Sequence, residues 1–149
     1  MASTSADYAT LFASHREPLL GLLEQIPADK AEFKAWEEGM TFKRLTDHLS
    51  ASSMRFGFML QGQQPPKIEP TTDWHEALNR LRESTESAKT MIAGLSPETL
   101  ARVIPAFGGQ SMPISGLMDF MVAHEAHHKG QVWMMSRMIG VEPPMFMKL

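Results

Sequence analysis

The stretch that decides the fold is Pro113–Ile139, PISGLMDFMVAHEAHHKGQVWMMSRMI, which is followed by Gly140 and then by Pro143 and Pro144. Its apolar residues recur at alternating spacings of three and four, which is the period of an amphipathic helix. Two histidines occupy positions in this stripe that apolar residues would otherwise fill. We therefore predict a long helix whose buried face carries two imidazoles, the stripe being Ile114, Leu117, Met121, His124, His128, Gln131, Met135 and Met138.

Three further segments have the same period, at about residues 5–25, 41–61 and 71–93, and each ends near a glycine or proline. Pro18 lies inside the first segment and predicts a kink there, because proline removes a backbone donor. A Gln- and Pro-rich linker, residues 62–70, precedes the third segment. Residues 103–109 predict a loop with a small two-stranded ribbon before the last helix. The sequence thus predicts an all-α fold, a four-helix bundle that forms one domain over residues 1–149.

The composition excludes several classes of protein. The chain has 149 residues, of which 43% are hydrophobic and 21% charged, values typical of one globular domain. A net charge of −3 without basic runs argues against nucleic acid or a membrane surface as partner. No apolar run approaches a membrane span, and the N-terminus does not resemble a signal peptide. The absence of cysteine excludes thiolate metal sites and disulfides. We expect a soluble, cytoplasmic protein.

The paired histidines predict a metal site. Side chains at positions i and i+4 of a helix lie roughly 5–6 Å apart between Cβ atoms, which suits two imidazoles converging on one ion. Two buried imidazoles without partners would be costly, and a metal ion satisfies both. A site needs a third protein ligand. The best candidate is His48, on the shoulder of the stripe of the second segment, so the predicted ligands are His48, His124 and His128.

The remaining histidines are weaker candidates. His15 lies in the stripe of the first segment and is a reserve ligand, although a hydrogen-bonded core histidine is the simpler interpretation. His127 falls about 60° from His124 on the opposite side from His128, so we predict a structural role at the flank. His75 lies outside the stripe of the third segment and is predicted to be on the surface.

The sequence His124-Glu125-Ala126-His127-His128 also matches H-E-x-x-H, the zincin protease motif, in which the glutamate is the general base. The context argues against a protease. The glycine and histidine of the metzincin extension are replaced by Gln131 and Met134, and the one carboxylate after His128 is Glu142, beyond the helix. Glu125 is about 100° from His124 and is predicted to face away from the ion.

Residues 119–131, DFMVAHEAHHKGQ, resemble the signature helix of the DinB/YfiT-like metalloenzyme family, and Trp36 followed by His48-Leu49 resembles its second-helix motif. Lys129 stands where arginine is more usual. The resemblance implies a four-helix bundle, usually a homodimer, with a divalent ion, commonly zinc or nickel, held by three histidines. Carried over residue by residue, these ligands are again His48, His124 and His128.

The resemblance implies two classes of function. The first is a metal-dependent enzyme, a transferase using a low-molecular-weight thiol such as bacillithiol or mycothiol, or a hydrolase, acting on a small molecule. Three-histidine coordination leaves positions open for water or a thiol. The second is a non-catalytic metal- or ligand-binding stress-response protein, damage-inducible in type, whose ion braces the bundle. No acidic residue falls beside the ligands in the stripes; Asp47 and Glu125 adjoin them in sequence, but side chains at i and i+1 diverge on a helix.

Apolar residues left outside the stripes favour the implied homodimer. Trp133 falls about 180° from the ion-facing direction of the last helix, so we expect it to be exposed in an isolated bundle. A lone surface tryptophan needs no partner, however, and the C-terminal tail could fold back over it. The predicted interface comprises Phe58, Trp133, Met134 and the tail residues Met145, Phe146 and Met147.

Overall fold

The structure is a computed structural model and describes residues 2–148. Its four long helices are α1 (Ser5–Leu23), α2 (Phe42–Leu60), α3 (Trp74–Ala93) and α5 (Ile114–Met138). A short helix α4 (Pro97–Ala101) and an antiparallel ribbon of β1 (Val103–Pro105) and β2 (Ser111–Pro113) connect α3 to α5. The predicted all-α four-helix bundle with a small ribbon is confirmed. Within residues 2–148, no helix is both long enough and apolar enough to cross a membrane.

Side-chain caps explain where three of the four long helices begin. Thr4 and Asp7 form a reciprocal capping box at α1. Thr41 accepts a hydrogen bond from Arg44 N at 3.1 Å at the start of α2, and Asp73 caps α3 in the same way. Helix α5 has no such cap and instead continues directly from β2, so the ribbon fixes its first turn.

Long helices that follow one another in the sequence do not all pack against each other in the bundle. Helix α1 packs against α3 and α5, and α2 packs against the same two helices. Trp74 Nε1 donates to the carbonyl of Ile26 at 3.3 Å, so the end of α1 lies beside the start of α3 and the two helices are antiparallel. Tyr8 donates to Asp119 at 3.0 Å, which aligns α1 with α5. Helices α1 and α5 therefore run one way, and α2 and α3 the other.

The linker between α2 and α3 must consequently travel the length of the bundle. Its 13 residues, 61–73, can span about 43 Å when extended, against about 28 Å for a helix of the length of α2. Its end is held to the start of α2, where Thr71 Oγ1 donates to Asp47 at 2.7 Å and Lys43 Nζ donates to the Thr71 carbonyl at 2.6 Å. The linker thereby covers the outer side of α2, next to His48.

Helix α1 continues through Pro18 as one helix. Because proline has no N–H, the carbonyl of Ser14 loses its helical partner. The N–H of Lys148 donates to that carbonyl at 3.0 Å, and Lys148 Nζ donates to Glu17 at 3.0 Å. The Ser14 carbonyl, which Pro18 leaves without a helical partner, thus binds the C-terminal tail to α1.

Helix α5 is buried on two faces, and the prediction that Trp133 is exposed is wrong. Trp133 is only 8% exposed and packs in the same cluster as Leu19 and Leu22 of α1. A helix in a square bundle faces two neighbours at about a right angle, and α5 contacts both α1 and α2. The single stripe considered in the sequence faces α2. A second buried stripe, about 100° away, consists of Met118, Glu125, Lys129, Val132 and Ser136.

Candidate metal centre

Three histidines from two helices converge at the middle of the bundle. His48 lies in the second turn of α2, and His124 and His128 lie on successive turns of α5. One ring nitrogen from each lies within 4.8 Å of the others. Of the residues that the structure describes, these form the one group of three or more histidine or acidic side chains close enough to hold an ion. The structure therefore brings together the three residues predicted from the sequence.

The orientation of the rings suits a shared cation. His48 Nε2 and His124 Nε2 face each other at 2.9 Å. Two lone pairs at this distance repel, so a proton or a metal ion must lie between the rings. Nitrogen ligands at about 2.1 Å from an ion lie roughly 3.0–3.4 Å apart, so the two rings need to part by only a few tenths of an ångström.

Gln131 orients the third imidazole. His128 Nδ1 lies 2.7 Å from Gln131 Oε1, an oxygen that can only accept a hydrogen bond. The proton of His128 is therefore on Nδ1, which leaves the lone pair of Nε2 free for an ion. An outer hydrogen bond of this kind is typical of metal-binding histidines.

His124 is the least satisfied of the three side chains. Its Nδ1 is buried and has no hydrogen-bond partner within residues 2–148. Leaving a buried polar group without a partner costs free energy, so the imidazole of His124 contributes little to stability through hydrogen bonding. The donor set of three imidazoles, one oriented by an amide and two facing each other, fits a divalent ion of the zinc or nickel kind.

The surroundings keep the imidazoles in the ligand form. Burial, together with the neighbouring His128, His48 and His127, lowers the pKa of His124 to about 4. Burial also lowers the pKa of His48, assisted by His128 and by Arg55 and Arg44. Neutral imidazole is the form that binds a metal, so both rings are ready to do so at neutral pH.

The other three histidines lie outside the cluster. His15 is buried, and its Nδ1 accepts a hydrogen bond from Lys129 Nζ at 2.8 Å, as expected of a core histidine. His127 is exposed, with its ring 4.8 Å from that of His128. His75 is exposed and contacts Asn79. Lys129 points away from the three-histidine cluster, into the second buried stripe, where it also donates to the carbonyl of Phe146.

Glu125, the glutamate of the H-E-x-x-H match, belongs to a different buried cluster. Arg16 holds its carboxylate through two donors, with Arg16 Nε at 2.9 Å from Glu125 Oε2. The same guanidinium donates to Thr85 Oγ1 at 3.1 Å and to the Leu49 carbonyl at 3.2 Å. Glu125 thus faces away from the histidines, as predicted, and cannot act as the base of a protease. We call Arg16, Glu125, Thr85 and the Leu49 carbonyl the arginine cluster.

Arg16 was not predicted as a functional residue, although its position in the sequence carries a signal. Arg16 lies four residues after Phe12 and three before Leu19, so it falls within the apolar stripe of α1. A charged residue in such a position requires a buried partner. Asp47, considered above as a neighbour of His48, instead accepts hydrogen bonds from Lys43 and Thr71.

Two cavities share His48 and Arg55 in their walls. The first has a volume of about 320 Å³ and is mostly apolar, and His124 also lines it. The second has a volume of about 670 Å³ and lies between α2 and the linker, with Arg44 in its wall. The three-histidine cluster is therefore accessible from the surface of the protein.

Comparison with known proteins places the chain among relatives of the same size. A sequence profile of the DinB superfamily matches residues 11–132. The uncharacterized protein YjoA of Bacillus subtilis (strain 168) is 28% identical over 133 residues, which are 87% of this chain and 86% of that protein. The crystal structure of YjoA, described as DinB-like, superposes with a TM-score of 0.82 and covers 95% of this chain and 97% of that chain.

Two more distant structures share the fold. YfiT from Bacillus subtilis, described as "a probable metal-dependent hydrolase with an unusual four-helix bundle topology", has a TM-score of 0.75 at 16% identity, covering 93% of this chain and 89% of that one. A mycothiol-dependent maleylpyruvate isomerase has a TM-score of 0.72 at 14% identity. The match covers 87% of this chain but 63% of the isomerase chain. At these identities the likeness shows the fold alone.

Proposed function

This chain belongs to the DinB superfamily, and from that premise we propose that it is a metal-dependent enzyme acting on a small molecule. The observation that carries the proposal is the convergence of His48, His124 and His128 beside an open cavity. When bound, a divalent ion held by three imidazoles supplies a Lewis acid that lowers the pKa of a water or a thiol.

The residues of the chain have distinct tasks in this proposal. The three imidazoles hold the ion, and the low pKa values of His48 and His124 keep those two rings unprotonated at neutral pH. Gln131 fixes the ring of His128. The apolar wall of the smaller cavity borders one side of the site. Glu125 and Asp47 are engaged in other hydrogen bonds, so the substrate or solvent must supply the proton acceptor.

Hydrolysis and thiol transfer are the two reactions we propose, with zinc or nickel as the metal. The description of YfiT as a probable metal-dependent hydrolase supports the first. The mycothiol dependence of the isomerase with the same fold supports the second, in which a low-molecular-weight thiol, mycothiol or bacillithiol, would be the co-substrate. Both reactions need an ion with one position open to a ligand.

A non-catalytic stress-response protein is the second candidate. It is favoured by the origin of the ligands, since His48 on α2 and His124 on α5 would be braced together by an ion. An ion that only braces the bundle would exchange neither water nor thiol. Binding of a thiol at the metal therefore separates the enzyme from the structural protein.

The experiment that tests the proposal is a metal titration of four variants. We expect His48→Ala, His124→Ala and His128→Ala each to weaken zinc or nickel binding by at least a hundredfold, because a lost ligand costs more than a lost outer partner. His75→Ala, an exposed histidine outside the cluster, is the matched control and should bind as the unmodified protein does. Unchanged binding by His124→Ala and His128→Ala would overturn the site.

The homodimer and the cytoplasmic location stay predictions. Burial of Trp133 removes one residue from the predicted interface, and the tail does fold back onto α1 and α5. Met134 remains 61% exposed and Trp36 is 54% exposed, and both line one shallow pocket on α5. Sedimentation at micromolar concentration measures the mass, and a value near 16.7 kDa would contradict a dimer.

A further inference from the structure

The smaller cavity beside the histidines is walled by aromatic rings. The rings of Phe107 and Phe120 lie 4.7 Å apart between centroids, and Phe56 lies 6.2 Å from Phe120. The ring of Phe120 is nearly parallel to that of His124, with an interplanar angle of 18° and 6.4 Å between centroids. Phe107 and Phe120 are 47% and 44% exposed. An apolar surface of this kind, next to a candidate site, is suited to the apolar part of a ligand.

The ribbon turn holds the aromatic wall in place. Phe107 begins the turn between β1 and β2, where Gly108 and Gly109 have φ values of 65° and 74°. These left-handed conformations favour glycine, and they let the turn fold Phe107 back onto α5. Pro65 of the linker forms another part of the same wall.

The second cavity offers positive charge at the same site. Arg44, His48 and Arg55 are spaced by four and seven residues, so they lie along one face of α2, with the small Ala51 between them. Arg55 lines both cavities. Within residues 2–148, neither guanidinium group forms a salt bridge or donates a side-chain hydrogen bond. Both guanidinium groups are therefore available to form charge-assisted hydrogen bonds with an anion.

The acidic residues around this cavity do not neutralise the two arginines. Asp47 is paired with Lys43 at 3.0 Å, and Glu69 is paired with Lys67 at 2.6 Å. Glu32 is exposed at the rim of the cavity. Arg55 is half-buried and lines both cavities, whereas Arg44 is exposed and lines one. Arg55 is therefore the better placed of the two to bind an anionic group of a ligand in these cavities.

We infer that the substrate is an amphipathic anion, whose apolar part lies against Phe56, Phe107 and Phe120 and whose carboxylate or phosphate-like group binds Arg55. Arg55 lies two helical turns beyond His48, about 10 Å along the axis of α2, so the anionic group is held away from the reacting centre. The inference rests on the proposed function, because it assigns to the substrate the cavities that flank the three histidines.

The test is an NMR titration of the zinc-loaded protein with four small probes. Phenylacetate and benzylphosphonate carry a ring and an anion, phenylacetamide carries the ring alone, and acetate carries the anion alone. We expect the two aryl anions to bind at least tenfold more tightly than either control probe. The tighter of the two aryl anions identifies the anionic group as a carboxylate or as a phosphate-like group.

Variants assign the charge preference to the arginine. We expect Arg55→Gln to weaken phenylacetate binding about tenfold and to leave phenylacetamide unchanged, since a hydrogen bond to a charged group contributes at about this level. Arg137→Gln is the matched control, because Arg137 is exposed and faces away from the histidines on α5. Equal binding of phenylacetate and phenylacetamide, equal effects of the two variants, or no binding of any probe would overturn the inference.

Zinc content, measured on the same samples, separates the two proposals. A protein that holds zinc but shows no preference for aryl anions overturns the amphipathic substrate and leaves the metal-dependent enzyme standing. A protein that holds neither zinc nor nickel overturns the proposed function, and with it the assignment of these cavities to a substrate.

Discussion

The arginine cluster and the three-histidine cluster include adjacent residues of α5, Glu125 and His124, yet the two clusters differ in how completely their polar atoms are hydrogen-bonded. Glu125 belongs to the first cluster, where the guanidinium group of Arg16 is bonded to groups on the three other long helices. His124 belongs to the second, where its Nδ1 is buried without a partner. A charged group bonded to several helices fixes how they pack, whereas neutral imidazoles whose Nε2 atoms face each other are available to a ligand.

The difference shows how one helix can serve stability and function at once. The face of α5 toward α1 carries the arginine cluster, and the face toward α2 carries His124 and His128. Because the two faces are about 100° apart, a change on one need not disturb the other. The comparison therefore predicts that the two clusters can be broken separately.

The largest effect is expected when the arginine cluster is broken, which should lower the stability of the fold. Glu125→Leu leaves Arg16 buried without a countercharge and should lower the free energy of unfolding by about 3–5 kcal/mol. Replacing both residues, Arg16→Met with Glu125→Leu, should restore most of that loss, because a well-packed apolar pair can substitute for a buried ion pair. Urea denaturation measures both values.

His124→Ala is the matched variant on the other face of α5. In metal-free protein it should change the free energy of unfolding by less than about 1 kcal/mol, since it also removes an unsatisfied nitrogen. If His124→Ala lowered the free energy of unfolding as much as Glu125→Leu does, the three-histidine cluster would stabilise the fold as the arginine cluster does, which would contradict this comparison.

The next effect is on metal binding, through Gln131. Gln131→Leu removes the acceptor that holds the ring of His128 and should weaken zinc binding 10- to 100-fold. Competition with a chromogenic chelator measures the affinity. Gln25→Leu, at an exposed site after α1, is the control and should bind zinc normally. Equal affinities for the two variants would remove Gln131 from the site.

The smallest effect is the pH dependence of the metal-free protein. Folding lowers the pKa of His124 from 6.5 to about 4, so the unfolded chain takes up a proton that the folded chain does not between these values. Stability should therefore fall as the pH is lowered from about 6.5 and level off below about 4. We expect this ring, half-buried and screened by solvent, to contribute about 1 kcal/mol. Urea titrations of the unmodified protein and His124→Asn should diverge in this range, and parallel curves would contradict the assignment.

Helical period was sufficient to predict the four helices and the placement of His124 and His128, two of the proposed ligands, on a buried face. His124 and His128 were found because they interrupt an apolar stripe, and His48 because it lies beside one. The arginine cluster was missed because only one buried face was assigned to α5, which put Glu125 and Trp133 on the outside. Which helices become neighbours depends on the long linker between α2 and α3, and its path leaves no periodic signal.

Residues whose role depends on a cavity were also beyond reach of the sequence. Nothing in the helical period distinguishes Arg44 and Arg55 from other charged residues of α2, because their cavity is formed only when the linker covers that face. Phe107 read as part of a loop, and its contact with Phe120 depends on the ribbon turn. The helical period of the sequence identifies the residues that face the core, but it does not show which surface residues line the same cavity.

X-ray absorption spectroscopy of the zinc-loaded protein, with and without an added low-molecular-weight thiol, tests most directly whether three histidines hold an ion that is open to a further ligand. We predict one zinc ion per chain, three imidazole nitrogens at about 2.0–2.1 Å, and a further light-atom ligand that is replaced by sulfur at about 2.3 Å when the thiol is added. A spectrum with fewer than three imidazoles, or a coordination shell that the thiol leaves unchanged, would contradict this prediction.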